Sequence, residues 1–290
     1  MLAVLFPLIL IQNIYVEIAY CFLGMFMTFM GTYEFTNALY KKNNNLKPFR
    51  FVIPMFSSML TFLVFNATYN LTNAYYQFIA MLFYIFIVIV ILIMMIFVKK
   101  SNIADVGSLI MAFTYGGLLF SYALSLRYFN SSNLSLIDVK LNGRQSIMYV
   151  YTIVLITDTF AYLVGSKWGK RKLCPTISPN KSLEGAIGGA VFGTIVGALI
   201  LFLYKITNIP ENAGMFILIV IIGILLSFVI SCTVQIGDLV ESKFKRSLDL
   251  KDFGKILPGH GGILDRFDSF ILSGSLFYVF LMMIEFIILG

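Results

Sequence analysis

Charged side chains are scarce in this sequence. Lys, Arg, Asp and Glu together make up 12% of its 290 residues, whereas 59% of the residues are hydrophobic. This composition leaves too little polar surface to cover a soluble core of such size. The longest polar stretches, near 129–145, 167–183 and 242–262, are too short to form an appended soluble domain. The sequence therefore predicts an all-α, polytopic integral membrane protein.

Histidine and cysteine are also scarce, which narrows the possible chemistry. His260 is the only histidine, and no G-x-S-x-G segment accompanies it, so Ser-His-Asp catalysis is not expected. The three cysteines, Cys21, Cys174 and Cys232, form no C-x-x-C pair and are predicted to be packing residues. No Walker A pattern occurs either.

Long apolar runs make up most of the sequence. A run of about 20 residues crosses a hydrocarbon core roughly 30 Å thick. Such runs lie at about 17–40, 50–68, 74–98, 104–128, 146–166, 184–204, 213–238 and 263–289. The opening segment MLAVLFPLILIQN is a shorter ninth candidate. Because it lacks a basic region and an A-x-A-like cleavage site, we expect a short or truncated first span and not a removable signal peptide, giving about nine transmembrane helices.

The basic residues alternate between loops in the pattern that orients membrane proteins. Of the 21 Lys and Arg residues, 16 fall in the loops after predicted spans two, four, six and eight, and four fall in the opposite loops. Loops rich in Lys and Arg stay in the cytoplasm. The count predicts a cytoplasmic N-terminus and an external C-terminus. It also explains the net charge of +7, so no nucleic-acid partner is expected.

The two halves of the chain differ in character. Residues 1–145 are apolar spans with few buried charges and are predicted to be a scaffold that supports dimer packing. Residues 146–290 hold almost all the polar side chains at membrane depth and are predicted to be the catalytic region, with cytoplasmic loops at 167–183 and 242–262. Within that region, the segment GAIGGAVFGTIVG repeats glycine every fourth residue, which is typical of close helix packing rather than of a nucleotide loop.

Five acidic residues lie in or at the ends of predicted spans in the second region. A carboxylate at the bilayer centre costs on the order of 3 kcal/mol, so such a residue usually faces a polar interior and serves a function. An i, i+3 spacing places two side chains on one helix face. Two such pairs and one further residue make up the set: Asp238 and Glu241, Asp265 and Asp268, and Asp158. Carboxylates without histidine or cysteine suit Mg²⁺, although acids at helix ends that reach the headgroups are an alternative for Glu241 and Asp268.

The two predicted cytoplasmic loops carry the groups that bind phosphate. Each holds five basic residues, and the first contains the turn-like segment SPNKS, from Ser178 to Ser182. The second contains PGHGG, from Pro258 to Gly262, directly before the acids of the last span. Basic groups, small hydroxyls and glycine turns are typical of phosphate binding. The positive-inside bias explains the number of basic residues, but not the PGHGG turn or the interleaved aspartates.

The segment SKFKRSLDLKDFGKILPGHGGILDRFDS, from Ser242 to Ser269, resembles the signature of the phosphatidate cytidylyltransferase (CDP-diacylglycerol synthase) family. That signature runs S-x-x-K-R, K-D, P-G-H-G-G and D-R-x-D, and every position is filled here. Three upstream segments, DTFAY, ISPNKSLEG and GDLVES, are similar to the family's other motifs and follow the family's order. The resemblance covers residues 158–269.

The resemblance implies that CTP and phosphatidic acid react to give CDP-diacylglycerol and pyrophosphate. The lipid phosphate is largely ionised near neutral pH, so in-line attack on the α-phosphorus of CTP needs charge neutralisation and alignment rather than a base. The implied Mg²⁺ ligands are Asp265 and Asp238, with Asp158, Glu241 and Asp268 as auxiliary ligands. The implied catalytic residues are Asp238, Asp265, Lys245, Arg246 and Lys181. The implied substrate pocket comprises Ser178, Ser182, Lys251, Asp252, Gly259, His260, Gly261, Gly262 and Arg266.

The resemblance further implies a monovalent cation such as K⁺ beside Mg²⁺, a homodimer, and a multi-pass protein of the cell membrane whose site faces the cytoplasm. A cation-coupled transporter of a phosphorylated solute is the alternative, since it could use the same acids and basic residues. Transporters commonly contain inverted repeats and midplane functional groups, which this sequence does not suggest. A purely structural subunit would leave five acids in three spans unexplained.

Overall fold

The computed structural model describes residues 9, 11, 13–71, 73–98, 102–129, 142–203, 213–254, 256 and 261–289. In these residues, eight helices are long and apolar enough to cross a membrane. We label them α1 to α8 in chain order: Ile14–Lys42, Phe49–Tyr69, Ala74–Phe97, Ile103–Tyr128, Gly143–Trp168, Leu183–Leu203, Ala213–Ser247 and Leu264–Leu289. The prediction of a predominantly helical chain with several helices able to cross a membrane is confirmed. The ninth span predicted at the N-terminus lies almost entirely outside the described residues, and the count of nine stays a prediction.

Asparagine begins four of these helices. The side-chain oxygens of Asn13, Asn73 and Asn142 each accept the N–H two residues further on, at the starts of α1, α3 and α5. At the start of α4, Asn102 and Asp105 exchange side-chain hydrogen bonds with each other's backbone N–H. These caps satisfy N–H groups that the first helical turn leaves without partners. They explain why asparagine stands directly before such apolar segments.

The chain divides into two compact units. The first unit comprises Met1–Tyr128 and Lys245–Phe267, and the second comprises Phe129–Phe244 and Asp268–Gly290. The end of α7 and the first residues of α8 therefore belong with α1 to α4. This division by packing differs from the functional boundary at 145/146 that the charge pattern predicts, and that boundary stays a prediction.

In the first unit, hydroxyl groups connect three neighbouring helices. Thr28 of α1 is hydrogen-bonded to Thr61 of α2 at 2.7 Å, and Thr61 is hydrogen-bonded to Ser121 of α4 at 2.8 Å. All three side chains are buried. Such polar contacts hold helices together in a membrane, where apolar packing alone gives little preference over lipid.

In the second unit, α5 packs against α6 along the predicted glycine stripe. A Cβ built on Gly185 would lie 2.6 Å from the carbonyl oxygen of Ala161, and one on Gly189 would lie 2.7 Å from that of Thr157. Side chains larger than hydrogen would therefore force these helices apart. The interpretation of the stripe as a packing surface is confirmed.

A small antiparallel hairpin connects α5 to α6. Its strands are β1, Lys172–Cys174, and β2, Ser178–Ser182. The prediction of a turn at SPNKS is wrong, because this segment is strand β2, and the fold is helical apart from this hairpin in the described residues. Pro179 is tolerated in β2 because both strands of a two-stranded sheet are edges, where a missing N–H need not break a ladder.

Helix α7 is longer than the apolar run that predicts it. It has 35 residues and is about 52 Å long at 1.5 Å per residue, well beyond a hydrocarbon core of roughly 30 Å. The apolar run ends near Asp238, but the helix continues to Ser247. Asp238 and Glu241 therefore lie inside a continuous helix and not at its end, which is a correction to the sequence-based boundary.

Candidate active site

Four elements of the second unit bring acidic, basic and hydroxyl side chains together. We call this group the Asp238 cluster. Its members are Asp158 on α5, Lys181 on β2, Asp238 and Ser242 on α7, and Asp268 and Ser269 on α8. The acids come from segments far apart in sequence, so the fold and not local spacing assembles the group.

Asp238 is held through both of its carboxylate oxygens. Lys181 Nζ forms an ion pair with Oδ2, and the two side chains remain 29% and 28% exposed. Ser242 Oγ, one helical turn further along α7, donates to Oδ1 at 3.3 Å. These partners fix the orientation of the Asp238 carboxylate while leaving it accessible.

Asp158 belongs to the same group through α8. It is hydrogen-bonded to the side chain of Ser269 and lies within electrostatic range of Asp268, Asp238 and Lys181. Asp158 is exposed although it lies within a predicted span. An acid facing lipid would be costly, so its side chain is best explained by a polar opening. Three acidic side chains face one ammonium, and this excess of acidic groups favours a cation.

Gly237 allows α7 to approach α8 closely beside this cluster. A Cβ built there would lie 2.9 Å from the carbonyl oxygen of Asp268 and 3.2 Å from the Cα of Ser269. In the segment GDLVES, the glycine thus permits the close helix contact, and the next residue, Asp238, supplies the carboxylate. This explains why glycine precedes Asp238.

A second group lies in the first unit, around Asp265 in the first turn of α8. We call it the Asp265 cluster; its members are Lys245, Phe253, Gly262 and Asp265. Lys245 Nζ donates to Asp265 Oδ1 at 3.0 Å, and these side chains are only 13% and 6% exposed. The backbone N–H of Gly262 donates to Oδ2 at 2.8 Å, and that of Phe253 donates to Oδ2 at 3.0 Å. The Gly262 N–H, which the sequence suggests for phosphate, is therefore used by Asp265.

Residues 1–284 match the model of the cytidylyltransferase family. This chain belongs to the cytidylyltransferase family. Its two clusters contain Lys181, Asp238, Asp265 and Asp268, which come from the segments SPNKS, GDLVES and DRFD that suggested the family from sequence.

Several relatives of this cytidylyltransferase family member are named phosphatidate cytidylyltransferase. The phosphatidate cytidylyltransferase of Staphylococcus haemolyticus (strain JCSC1435) is 39% identical over 173 residues, covering 60% of this chain and 58% of that protein. Those of Bacillus subtilis (strain 168) and Staphylococcus aureus (strain COL) are 38% identical over 177 residues and 45% identical over 148 residues. These two alignments cover 61% and 51% of this chain, and 58% and 53% of the relatives. Each alignment thus spans less than two thirds of the relative.

The five acids predicted to bind metal are divided between the two units. Asp158, Asp238 and Asp268 lie together in the second unit, Glu241 is fully buried there on α7, and Asp265 belongs to the first unit. In the part of the chain that the structure describes, no group of three or more His, Cys, Asp or Glu side chains is arranged to hold a metal ion. A single cation site containing all five acids stays a prediction.

The predicted substrate residues have several environments. Ser182 is buried and its Oγ accepts the N–H of Gly185 at 3.2 Å, so it caps α6. Gly261 has a φ of +83° and a Cβ built on it would lie 3.1 Å from Asp265 Oδ2, so this position favours glycine. Ser178 is half-buried in β2, and four residues are exposed: Arg246, Lys251, Asp252 and Arg266. Gly259 and His260 lie outside the described residues.

Glu34 is a buried acid that the sequence patterns did not single out. This residue is the only acid between Glu17 and Asp105, it lies inside α1, and its side chain is buried. Its Oε1 and Oε2 accept the N–H groups of Ile263 and Leu264, each at 3.1 Å, at the start of α8. The rule that an acid within a span is functional would have found it, had the N-terminal half not been treated as a scaffold.

Proposed function

We propose that this protein transfers the cytidylyl group of CTP to phosphatidate, giving CDP-diacylglycerol and pyrophosphate. The observation that carries the proposal is the Asp238 cluster, in which a lysine and a serine hold one aspartate beside two others. Family membership and the names of the relatives support the choice of nucleotide and lipid. The cluster provides what a reaction between two phosphate-containing substrates requires, namely charge control and alignment.

The reaction needs no proton acceptor on the protein. A phosphate oxygen of the lipid attacks the α-phosphorus of CTP and forms a new P–O bond. The bond between the α-phosphorus and the bridging oxygen breaks, and pyrophosphate leaves with that electron pair. Because a phosphomonoester has a second pKa of about 6, the attacking oxygen is already ionised near neutral pH. The scarcity of histidine is therefore compatible with this chemistry.

Basic side chains have the principal task of neutralising phosphate charge. The proposal assigns this task to Lys181, Lys245, Arg246 and Arg266. Lys181 is suited to it because its ammonium is oriented by Asp238 and still partly exposed. In phosphoryl-group chemistry, such preorganised charges stabilise the transition state without reorganising during the reaction.

The Asp238 cluster also fits Mg²⁺ by its chemistry. Its acidic members offer only oxygen donors, and Mg²⁺ in nucleotide sites is commonly held by one or two carboxylates, water and substrate phosphates. Asp238, with Asp158 or Asp268, would hold the ion, which would neutralise the triphosphate of CTP and the pyrophosphate leaving group. The family resemblance supports three further proposals. Asp265 and Glu241 would be additional Mg²⁺ ligands, a monovalent cation such as K⁺ would bind beside Mg²⁺, and the protein would form a homodimer.

We further propose that the reaction occurs at the cytoplasmic face of the cell membrane. The alternation of 16 against four basic residues between loops supports an N-terminus in the cytoplasm and a C-terminus outside. In this orientation the hairpin and the end of α7 lie on the side where CTP is present. Phosphatidate would reach the site from the surrounding bilayer.

The direct test uses the purified full-length chain in detergent with phosphatidate and radiolabelled CTP. We expect CDP-diacylglycerol and pyrophosphate in equal amounts, little product with ATP in place of CTP, and loss of product when Mg²⁺ is removed with a chelator. The control is phosphatidylcholine in place of phosphatidate, which has no terminal phosphate to attack. A folded sample that makes no CDP-diacylglycerol with CTP and Mg²⁺ would refute the proposal.

A further inference from the structure

Glu34 joins helix α1 to the start of helix α8. Its buried carboxylate accepts the N–H groups of Ile263 and Leu264, which are more than 200 residues away in sequence. These N–H groups belong to the start of α8 and would otherwise lack helical partners. A carboxylate placed there also interacts favourably with the helix dipole. Glu34 therefore fixes where α8 begins.

Two glycines make room for this carboxylate. A Cβ built on Gly254 would lie 2.6 Å from Glu34 Cδ, and a Cβ built on Gly262 would lie at the same distance of 2.6 Å. Side chains at these positions would displace the carboxylate from the start of α8. The glycines of the loop between α7 and α8 thus serve contact with Glu34, in addition to any role toward a substrate.

Asp265 connects the contact between Glu34 and the start of α8 to the basic side chain of Lys245. Asp265 is next to Leu264, whose N–H is held by Glu34. Asp265 in turn binds Lys245 Nζ at 3.0 Å and the N–H groups of Phe253 and Gly262. All of these residues belong to the first unit. A continuous series of contacts therefore runs from Glu34 through the start of α8 to Asp265 and Lys245.

We propose that Glu34 is a positioning residue for the cytidylyl transfer, acting through Asp265 on the ammonium of Lys245. The inference rests on the proposed function, in which Lys245 neutralises phosphate groups of CTP. Glu34 itself touches no substrate; it sets the position of α8 and hence the direction of the Asp265 carboxylate. Substitution of Glu34 is expected to weaken the use of CTP more than that of the lipid.

The test is Glu34→Gln in the full-length protein, with Glu17→Gln in the same helix as the matched control. The amide can accept one of the two N–H groups but presents an NH₂ group to the other. We expect the KM for CTP to rise about tenfold, with the KM for phosphatidate unchanged, and Glu17→Gln to behave as wild type. Unchanged KM values for both substrates would overturn the proposal.

A double-mutant cycle with Lys245→Met separates positioning from a merely structural role. If Glu34 acts through Lys245, then Glu34→Gln adds little to the loss in kcat/KM that Lys245→Met already causes. Multiplication of the two losses would contradict the proposal, because a general loss of stability would act independently of Lys245. If Glu34→Gln does not fold, the same cycle is run with Glu34→Asp, whose shorter side chain keeps the charge but withdraws from the N–H groups.

Hydrogen exchange provides a readout that does not depend on activity. The amides of Ile263 and Leu264 are expected to be protected in the wild type and to exchange faster in Glu34→Gln. If the wild type makes no CDP-diacylglycerol, the proposed function fails, and exchange still decides whether Glu34 fixes the start of α8. Equal exchange in both proteins would overturn the inference whatever the activity.

Discussion

Lys181 on strand β2 forms an ion pair with Asp238 in the last third of helix α7. The hairpin that carries Lys181 thus lies against the helix that carries the cluster's central acid. The ammonium lies within electrostatic range of two aspartates, Asp238 and Asp158, and Asp158 is in turn within range of Asp268. The lysine balances part of their charge and remains accessible enough to meet an incoming phosphate.

Replacement of Lys181 by methionine tests this dual role. We expect Lys181→Met to lower kcat/KM for CTP by about 100-fold, the usual loss when one preorganised donor to a developing phosphate charge is removed. Steady-state assays at varied CTP measure the change. Lys170→Met, at an exposed lysine just before the hairpin, is the matched control. Equal losses in the two variants would mean that only the overall positive charge of this region matters.

Asp238→Asn tests the proposed contribution of this carboxylate to metal binding. The amide keeps the shape and one acceptor oxygen but removes the negative charge that attracts Mg²⁺. We expect the Mg²⁺ concentration for half-maximal activity to rise at least about tenfold, together with a lower kcat. Titration of activity with Mg²⁺ measures both effects. Asp249→Asn, at an acid whose side chain is 91% exposed, should leave the titration unchanged. An unaltered Mg²⁺ dependence in Asp238→Asn would remove this residue from the metal site.

Gly237→Ala tests the close approach of α7 and α8. The added methyl group would lie 2.9 Å from the carbonyl oxygen of Asp268, and such overpacking costs about 1–3 kcal/mol in the free energy of unfolding. Thermal unfolding in detergent should therefore show a lower midpoint. Gly107→Ala is the control, because a Cβ built on Gly107 meets nothing within 4 Å. A midpoint for Gly237→Ala as high as that of Gly107→Ala would contradict the packing that we describe.

Local sequence patterns predicted most of the spans because each span is one continuous apolar run. They failed at the end of α7, since hydropathy reports membrane depth and not helix length, and the helix continues beyond Asp238 to Ser247. They also failed at β2, where Pro179 and Asn180 favour a turn but pairing with β1 makes the segment a strand. The first error concerns helix length, which hydropathy does not report, and the second comes from pairing with a neighbouring strand.

The sequence predicted part of the candidate site but not all of it. The segments around Asp238 and Asp265 were found because they combine acids, glycines and basic residues within a few positions. The role of Glu34 was not, because its partners Ile263 and Leu264 are 229 and 230 residues away. No spacing rule connects them, since only the packing of the first unit brings α1 to the start of α8.

The proposed orientation can be tested at the two ends of helix α2. In a background with its cysteines replaced by serine, Asn44→Cys places a single thiol at an exposed position before this helix, and Tyr69→Cys places one at its exposed last residue. The basic-residue count predicts that residue 44 lies inside the cell and residue 69 outside. A membrane-impermeant maleimide should label Tyr69→Cys in intact cells, but Asn44→Cys only after permeabilisation. The reverse pattern would invert the proposed topology.

The end of α7 offers a stability prediction independent of the proposed function. Asp249 has a φ of +56°. The N–H groups of Leu250 and Asp249 donate to the carbonyl oxygens of Lys245 and Arg246 at 2.8 and 3.1 Å, the Schellman arrangement in which glycine is the preferred left-handed residue.

Asp249→Gly should therefore raise the free energy of unfolding by about 1 kcal/mol, because glycine adopts this conformation without the penalty of a Cβ. The lost contact with Lys42, at 4.0 Å and highly exposed, contributes little. The matched variant Asp249→Ala keeps a Cβ without a polar side chain and should lower stability. Unfolding midpoints in detergent rank the three proteins, and an order with Ala above Gly would mean that positive φ is not what limits this helix end.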